Sequence, residues 1–400
     1  MSSIRVQCAG KSHTVSFSDG ETLLSALRSA GFSVPAACGG RGKCGKCRVA
    51  VNGVPRLACK TVPCDADEIM LPEAAGGTIL TQTVTVPRSA DTEAGCAAAV
   101  DLGTTTLAVR LYDLESGKEL ATLSAWSAQA AYGADVISRI QHTMDFPDGL
   151  SELSGLIRRQ TEQLILKALS DSSRSADELK RIAVAGNTVM QHIFAQIPVR
   201  SIAVAPFTPL SLFDGECDDE LLGAKIIYAP CVAGYVGGDI TAGLLASGLC
   251  AGSGENLFLD IGTNGEMALG GRDGFLCCAV ASGPAFEGAG ISCGMAALKG
   301  AVSHVRYDKG FLFDVIGGGE PRGICGSGLL DLAAVLLKLG CIDEGGRLLP
   351  PDEVPESMRK YISDDGSGNG IFHLAPDVYL TAGDVRALQL AKSAVCAGIK

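Results

Sequence analysis

The sequence predicts a multidomain chain of α/β and α+β class, a small mixed module followed by a duplicated α/β lobe. Three observations predict it. Near the amino terminus, Cys38-Gly-Gly-Arg-Gly-Lys-Cys44-Gly-Lys-Cys47 packs three thiols and four glycines between strand-like runs. An apolar strand ending in Asp-Leu-Gly-Thr at Asp101 is echoed by Asp-Ile-Gly-Thr at Asp260, 159 positions later. The 400 residues, 47% hydrophobic with 51 glycines, suffice for roughly two to four ordered domains.

Charge and hydropathy exclude several classes. A net charge of -11 argues against a nucleic-acid binder, whose affinity is built mainly from clustered Lys and Arg. The first residues lack the apolar core of a signal peptide, and no later window approaches a membrane-spanning run of apolar residues. The expectation is a cytoplasmic chain without a membrane segment. In a reducing compartment its 16 cysteines point to metal ligation or burial and not to a disulfide framework.

Element by element, residues 4–8 and 13–17 flank Gly10-Lys11-Ser12 and read as a hairpin; Leu23 to Ala30 reads as a short helix closed by Gly31. The cysteine loop follows, then a strand-like Cys47-Arg-Val-Ala-Val-Asn-Gly53 and Leu57-Ala-Cys59. Cys38, Cys44, Cys47 and Cys59 are spaced C-x5-C-x2-C-x11-C. Structural zinc sites usually pair two short knuckles. Here three thiols crowd one loop and the fourth arrives from the next strand, close to the plant-type spacing of a 2Fe-2S cluster. Gly39, Gly40, Gly42 and Gly45 suit a loop that turns tightly around a cluster and aims N–H groups at sulfur. A four-thiol zinc site is the alternative. Arg41, Lys43, Lys46, Arg48, Arg56 and Lys60 surround the loop, as a solvated rim or as a docking face for an acidic redox partner.

The two Asp-Gly-Thr turns suggest an internal duplication. Glycine lets such a turn bring backbone N–H groups to phosphate oxygens, threonine hydroxyls add donors, and an Asp at the strand end can hold Mg2+ through water. The nucleotide-binding candidates are Asp101, Gly103, Thr104 and Thr105 in the first turn and Asp260, Gly262, Thr263 and Asn264 in the second. Asn187 joins them because Ala185-Gly-Asn-Thr after an apolar strand offers donors at a helix start. Glu266 and Glu287 are the carboxylates for orienting a water toward a terminal phosphate, and spacing does not choose between them. His192 reads as a helix residue near a domain interface or as a contact to nucleotide or corrinoid partner, Asp239 as a cap for a helix starting near Gly237 or as a metal contact, Cys277 and Cys278 as packing residues, and Gly317-Gly318-Gly319 as a strand-ending turn.

The paired turns resemble phosphate-1 and phosphate-2 of the ASKHA superfamily of acetate and sugar kinases, actin and large heat-shock chaperones. Their fusion to the cysteine module, with Leu57-Ala-Cys-Lys-Thr, Ala185 to His192, Ala205-Pro-Phe-Thr-Pro209, Gly237-Gly-Asp239, Ala281 to Gly288 and Gly323 to Asp331, resembles the reductive activators of corrinoid-dependent enzymes. That resemblance implies a β-grasp 2Fe-2S ferredoxin module at 1–75, a linker at 76–95, and ribonuclease-H-like ASKHA lobes at 96–254 and 255–400. It implies ATP with Mg2+ as cofactor, an upstream low-potential electron donor, a corrinoid protein or corrinoid-dependent methyltransferase as partner, and reduction of Co(II) to Co(I). A homodimer is the assembly considered. Plant-type clusters lie near about -400 mV, and a shortfall of roughly 200 mV against the corrinoid costs about 4.6 kcal/mol per electron. ATP hydrolysis would offset it. The rival reading is a ferredoxin-like carrier to another low-potential acceptor, with the ASKHA part docking a partner. One departure stands out: the closing helix from Thr381 leads in the family to a further strand and a Gly-Gly adenosine motif, so the second lobe reads as truncated with the purine side of its cleft open.

Overall fold

Leu23, Leu24, Ala26 and Leu27 form one apolar helix stripe, and alternate residues of the first strands form one apolar sheet face, so the two bury each other. The computed structural model describes residues 2–8, 10–30, 32, 34, 40, 42, 47–71, 93–133, 135–252, 254–288 and 290–400. In it β1 (Ser2–Cys8) and β2 (Lys11–Phe17) make a hairpin, followed by α1 (Leu23–Ser29), β3 (Arg48–Val51), β4 (Val54–Leu57) and β5 (Glu68–Met70). The sheet order is β2-β1-β5-β3-β4, with β5 parallel to β1, the mixed arrangement of a β-grasp. Ile4, Val6, Val15, Val49 and Ile69 meet α1 in the core.

Two turns refine the sequence reading. Cys8 pairs with Lys11, so Lys11 and Ser12 belong to β2 and not to the turn, where Gly10 has φ 75°. Asn52 (φ 50°) and Gly53 (φ 78°) reverse β3 directly into β4, as the Asn-Gly pair of a primed hairpin turn does. The helix closure expected at Gly31 lies outside the described residues.

The first lobe begins with β6 (Cys96–Leu102), β7 (Thr106–Asp113) and β8 (Glu119–Trp126), an antiparallel meander whose first turn holds Gly103 to Thr105. Helices α2 (Val136–Asp145) and α3 (Gly149–Asp171) lead to β9 (Leu179–Gly186), which pairs parallel with β6. After α4 (Thr188–Phe194) and α5 (Arg200–Ala203) come β10 (Glu220–Leu221), β11 (Ala224–Tyr228) and α6 (Gly238–Ala246). The sheet order β10-β11-β9-β6-β7-β8, with β11 parallel to β9, is the ribonuclease-H pattern of an antiparallel meander extended by parallel strands. Parallel strands need crossovers, which the helices supply. Val100, Leu102, Val109, Ile140, Leu153, Ile157, Val184 and Phe194 are among its core residues.

The chain divides into two units after Gly252. The second opens with β12 (Asn256–Ile261), β13 (Gly265–Gly271) and β14 (Gly274–Val280), a meander that repeats the first lobe's, again with the Asp-Gly-Thr turn between its first two strands. Two further three-stranded sheets follow. One holds β15 (Ala301–Tyr307), β16 (Phe311–Val315) and β17 (Gly323–Ile324), with α7 (Gly326–Lys338) packed on β15; the other holds β18 (Ile362–Asp364), β19 (Gly370–Ala375) and β20 (Val378–Thr381). Helix α8 (Ala382–Ile399) packs on β13 and β14. Its start is tied by Asp384, only 2% exposed, whose carboxylate accepts from Thr381 N–H (2.9 Å) and Ser292 N–H (2.7 Å). Phe372, Leu332, Leu336 and Leu380 centre this unit's core.

Candidate functional site

The first phosphate-type turn is held from three sides within its own lobe. Gly103 is required sterically: a Cβ there would lie 2.6 Å from Thr106 O. Asn187 is the N-cap of α4, its Oδ1 accepting from Met190 N–H (3.0 Å) while its Nδ2 donates to Thr104 Oγ1 (2.9 Å). One side chain thus fixes a helix start and a loop hydroxyl together. A Cβ on Gly186 would strike Leu102 O at 2.6 Å, and one on Gly237 would strike Asn187 Cα at 2.5 Å, so the strand ends and the α6 start approach closely around Asn187. Asp101 is exposed near the end of β6.

Arg139, from α2, was missed in the sequence reading. It is fully buried, donating from Nε to Gly133 O (3.1 Å), from one terminal nitrogen to Gln129 Oε1 (3.0 Å) and Met190 Sδ (2.8 Å), and from the other to Thr104 O. Burial pushes its guanidinium down to about 9, partly offset by Asp135, so it remains a cation at neutral pH. Its position was legible in outline: Val136 and Ile140 mark the buried face of α2, and Arg139 falls on that stripe.

The second turn differs. Gly262 N–H donates to Asn264 O (2.8 Å), and Ser282 Oγ donates to Gly262 O (2.9 Å). Thr263 N–H donates to Glu287 Oε1 at 2.9 Å, whereas the Thr105 N–H of the first turn meets no acceptor among the described residues. Glu266 lies directly across the β12–β13 ladder from Asp260, so the two carboxylates share one sheet face. Crowding by protein atoms raises the Asp260 carboxyl above its usual range although the residue is exposed along its strand edge. Glu287 is exposed and is the last residue of a one-turn helix at Pro284–Glu287.

In the amino-terminal module, Cys47 is buried and Cys59 half-buried, and their sulfurs lie 3.2 Å apart. Two thiols so placed can serve one metal ion. Gly40 has φ 87°, and a Cβ there would sit 3.1 Å from Leu24 Cδ2 and 3.9 Å from Cys59 Cβ, so the loop uses the space a side chain would fill. These features fit a cluster. Cys38 and Cys44 lie outside the described residues, as do Arg41, Lys43 and Lys46. Arg48, Arg56 and Lys60 are exposed.

Other candidates find structural roles. His192 is fully buried; Nδ1–H donates to Thr188 O (2.7 Å) and Nε2 accepts from Ser211 N–H (3.2 Å). Asp239 does not cap α6: Gly237 is the N-cap, and Asp239 lies in the first turn with Oδ1 accepting from Ile240 N–H (2.9 Å). Cys277 and Cys278 are half-buried in β14, and Gly317, Gly318 and Gly319 turn the chain after β16 with positive φ throughout. Among the described residues no helix is long and apolar enough to cross a membrane.

Three family descriptions match in chain order: a 2Fe-2S iron-sulfur cluster binding domain at 6–66, the RACo middle region at 96–251, and the C-terminal ASKHA domain of RACo at 255–400. The chain belongs to the RACo family. The solved structure of a "Reductive activator for corrinoid,iron-sulfur protein" aligns with this RACo-family chain over 99% of its length and 82% of that structure's, at 29% identity and TM-score 0.64. The "Corrinoid activation enzyme RamQ" of Eubacterium limosum is 32% identical over 322 residues, covering 75% of this chain and 53% of that protein. The "[Co(II) methylated amine-specific corrinoid protein] reductase" of Methanosarcina barkeri is 27% identical over 290 residues, 62% of this chain and 52% of that one. The RACo-family chain spans about half the length of these two curated relatives.

Proposed function

We propose that this RACo-family chain carries out ATP-dependent one-electron reductive activation of a corrinoid protein, Co(II) to Co(I), in a methyltransferase system, drawing its electron from a low-potential donor. It is read as acting in the cytoplasm, as a homodimer. The observation that carries the reading is the pairing, in one chain, of the Cys47–Cys59 thiol pair at 3.2 Å with two glycine-threonine turns of phosphate-binding type. Cys38, Cys44, Cys47 and Cys59 would hold a 2Fe-2S cluster, which would supply a one-electron carrier.

The chain's own residues supply the rest. The Thr104 and Thr105 hydroxyls and the open Thr105 N–H receive phosphate oxygens, with Asp101 placed to hold Mg2+ through water. Gly262, Thr263 and Asn264 form the matching turn, where Asp260 and Glu266 share a face suited to a hydrated cation. Glu266 and Glu287 both remain carboxylates for orienting a water toward the terminal phosphate, one Glu287 oxygen also accepting from Thr263 N–H. ATP and water give ADP and phosphate while one electron passes to Co(II).

Anaerobic EPR of the dithionite-reduced chain, with iron and sulfide analysis, tests the electron-carrier half of the reading. A signal of one spin per two irons, altered or lost in Cys59→Ser, is expected; zinc in place of iron overturns it. Mixing the reduced chain with a Co(II) corrinoid protein and MgATP should convert the cobalt spectrum to Co(I). The capped Thr263 amide favours one second reading, a ferredoxin-like carrier whose ASKHA part only docks a partner. Normal corrinoid reduction without nucleotide binding would select it.

A further inference from the structure

We propose that Arg139 is a positioning residue for the first phosphate turn, aiming the Thr105 N–H outward by holding the far side of the same peptide. The inference rests on the nucleotide-binding reading above and deepens it. Thr104 C=O and Thr105 N–H belong to one peptide unit, and in a planar trans peptide they point in opposite directions. A donor that grips Thr104 O from inside the lobe therefore turns the Thr105 N–H away from the interior. Arg139 is that donor, reaching the turn across 35 positions of sequence.

The grip is rigid because all three nitrogens of the guanidinium are engaged. Gly133 O, Gln129 Oε1, Met190 Sδ and Thr104 O receive it, and Gln129 is itself fixed by donating to Leu153 O (2.9 Å). A planar fork with several donors can hold four acceptors at once, which a lysine ammonium on a flexible stem cannot. Asn187 adds a second hold through the Thr104 hydroxyl (2.9 Å), so both the backbone and the side chain of Thr104 are set before any ligand arrives. None of the four acceptors is a carboxylate. The buried positive charge therefore lies behind a turn read as receiving phosphate, with the Asp135 carboxylate acting on it through space and not as one of its hydrogen-bond acceptors.

The test compares the full chain with Arg139→Gln, and with Arg158→Gln as a control for lost stability in the same lobe. Arg158 pairs with Asp219 at 2.9 Å and touches neither turn residue. Two readouts are taken: MgATP affinity by calorimetry, and hydrogen exchange of the peptide spanning 101–107. Arg139→Gln is expected to weaken MgATP binding by about tenfold or more and to speed exchange in that peptide. Arg158→Gln, brought to the same loss of melting temperature, should change neither. Equal effects from the two variants, or unchanged exchange at 101–107 in a folded Arg139→Gln, would overturn the proposal. If Arg139→Gln does not fold, Arg139→Lys keeps the cation, loses the fork, and is held to the same two readouts. If the unaltered chain binds no MgATP, the nucleotide reading fails for this chain, while faster or unchanged exchange at 101–107 still decides the role of Arg139.

Discussion

Asn187 does two jobs that substitution can separate. Its Oδ1 caps α4 by accepting from Met190 N–H, and its Nδ2 donates to Thr104 Oγ1 in the first phosphate turn. Asn187→Ala removes both. Loss of an N-cap costs about 0.5–2 kcal/mol and loss of a neutral hydrogen bond about 0.5–1.5 kcal/mol, so the lobe should lose about 1–3.5 kcal/mol. Asn187→Asp keeps the acceptor for Met190 N–H and places a negative charge at a helix start, where the dipole favours it. Its stability should stay within about 0.5 kcal/mol of the parent. Yet it replaces the Thr104 donor with a carboxylate oxygen beside a turn read as receiving phosphate, and MgATP affinity should fall about tenfold or more, the equivalent of about 1.4 kcal/mol. The chain's only tryptophan, Trp126 on β8, makes urea unfolding of this lobe readable by fluorescence, with calorimetry for the nucleotide. A parent-like MgATP affinity in Asn187→Asp, or a stability loss equal to that of Asn187→Ala, would refute the division of labour.

Three more outcomes are expected. Asp384→Ala should destabilise the second unit by about 2–4 kcal/mol, since it removes the side-chain half of the α8 capping box that Thr381 begins and leaves the Ser292 and Thr381 amides without their acceptor; calorimetric melting checks it, and a change under about 1 kcal/mol contradicts the account. Burial holds His192 below its ordinary value, although the Thr188 carbonyl pulls the other way. Its neutral form is therefore the folded one: the stability it contributes is fully present above the unfolded value near about 6.5 and is lost as pH falls from there toward the lowered folded value. Trp126-monitored urea midpoints should drop across that acid interval, and His192→Gln should flatten the slope. Gly237→Ala would bring a methyl to 2.5 Å from Asn187 Cα, so it should weaken both lobe stability and MgATP binding in the same two assays.

Local signals carried much of this protein in its sequence. The cysteine spacing and the two Asp-Gly-Thr turns are short motifs whose chemistry requires fixed offsets, so they could be read without tertiary knowledge. The antiparallel meanders followed, because each turn sits between two apolar runs. What could not be read was set by partners far along the chain. β5 is three residues long and exists only by pairing with β1 and β3. Arg139 looks like an ordinary helix arginine until Thr104 and Gln129 are brought to it. The contact that engages Glu287, Thr263 N–H to its Oε1, spans 24 positions, and spacing alone does not announce it. The Asn52-Gly53 turn is the exception, a local Asn-Gly signal inside a stretch that reads as one strand running to Gly53.

The two turns also differ in what an arriving phosphate must do. At Thr105 the amide meets no acceptor among the described residues, and occupation there is a single step. At Thr263 a carboxylate from the chain already holds the amide, so an anion has to compete with a tethered anion. Displacing a hydrogen bond of that charged kind costs about 1.5–3 kcal/mol. Weak or partial ligands would be turned back at the second turn and accepted at the first. On the nucleotide reading proposed above, the Glu287 contact would act as a threshold on occupancy of the second turn, one that a fully charged phosphate chain overcomes more readily than lesser anions.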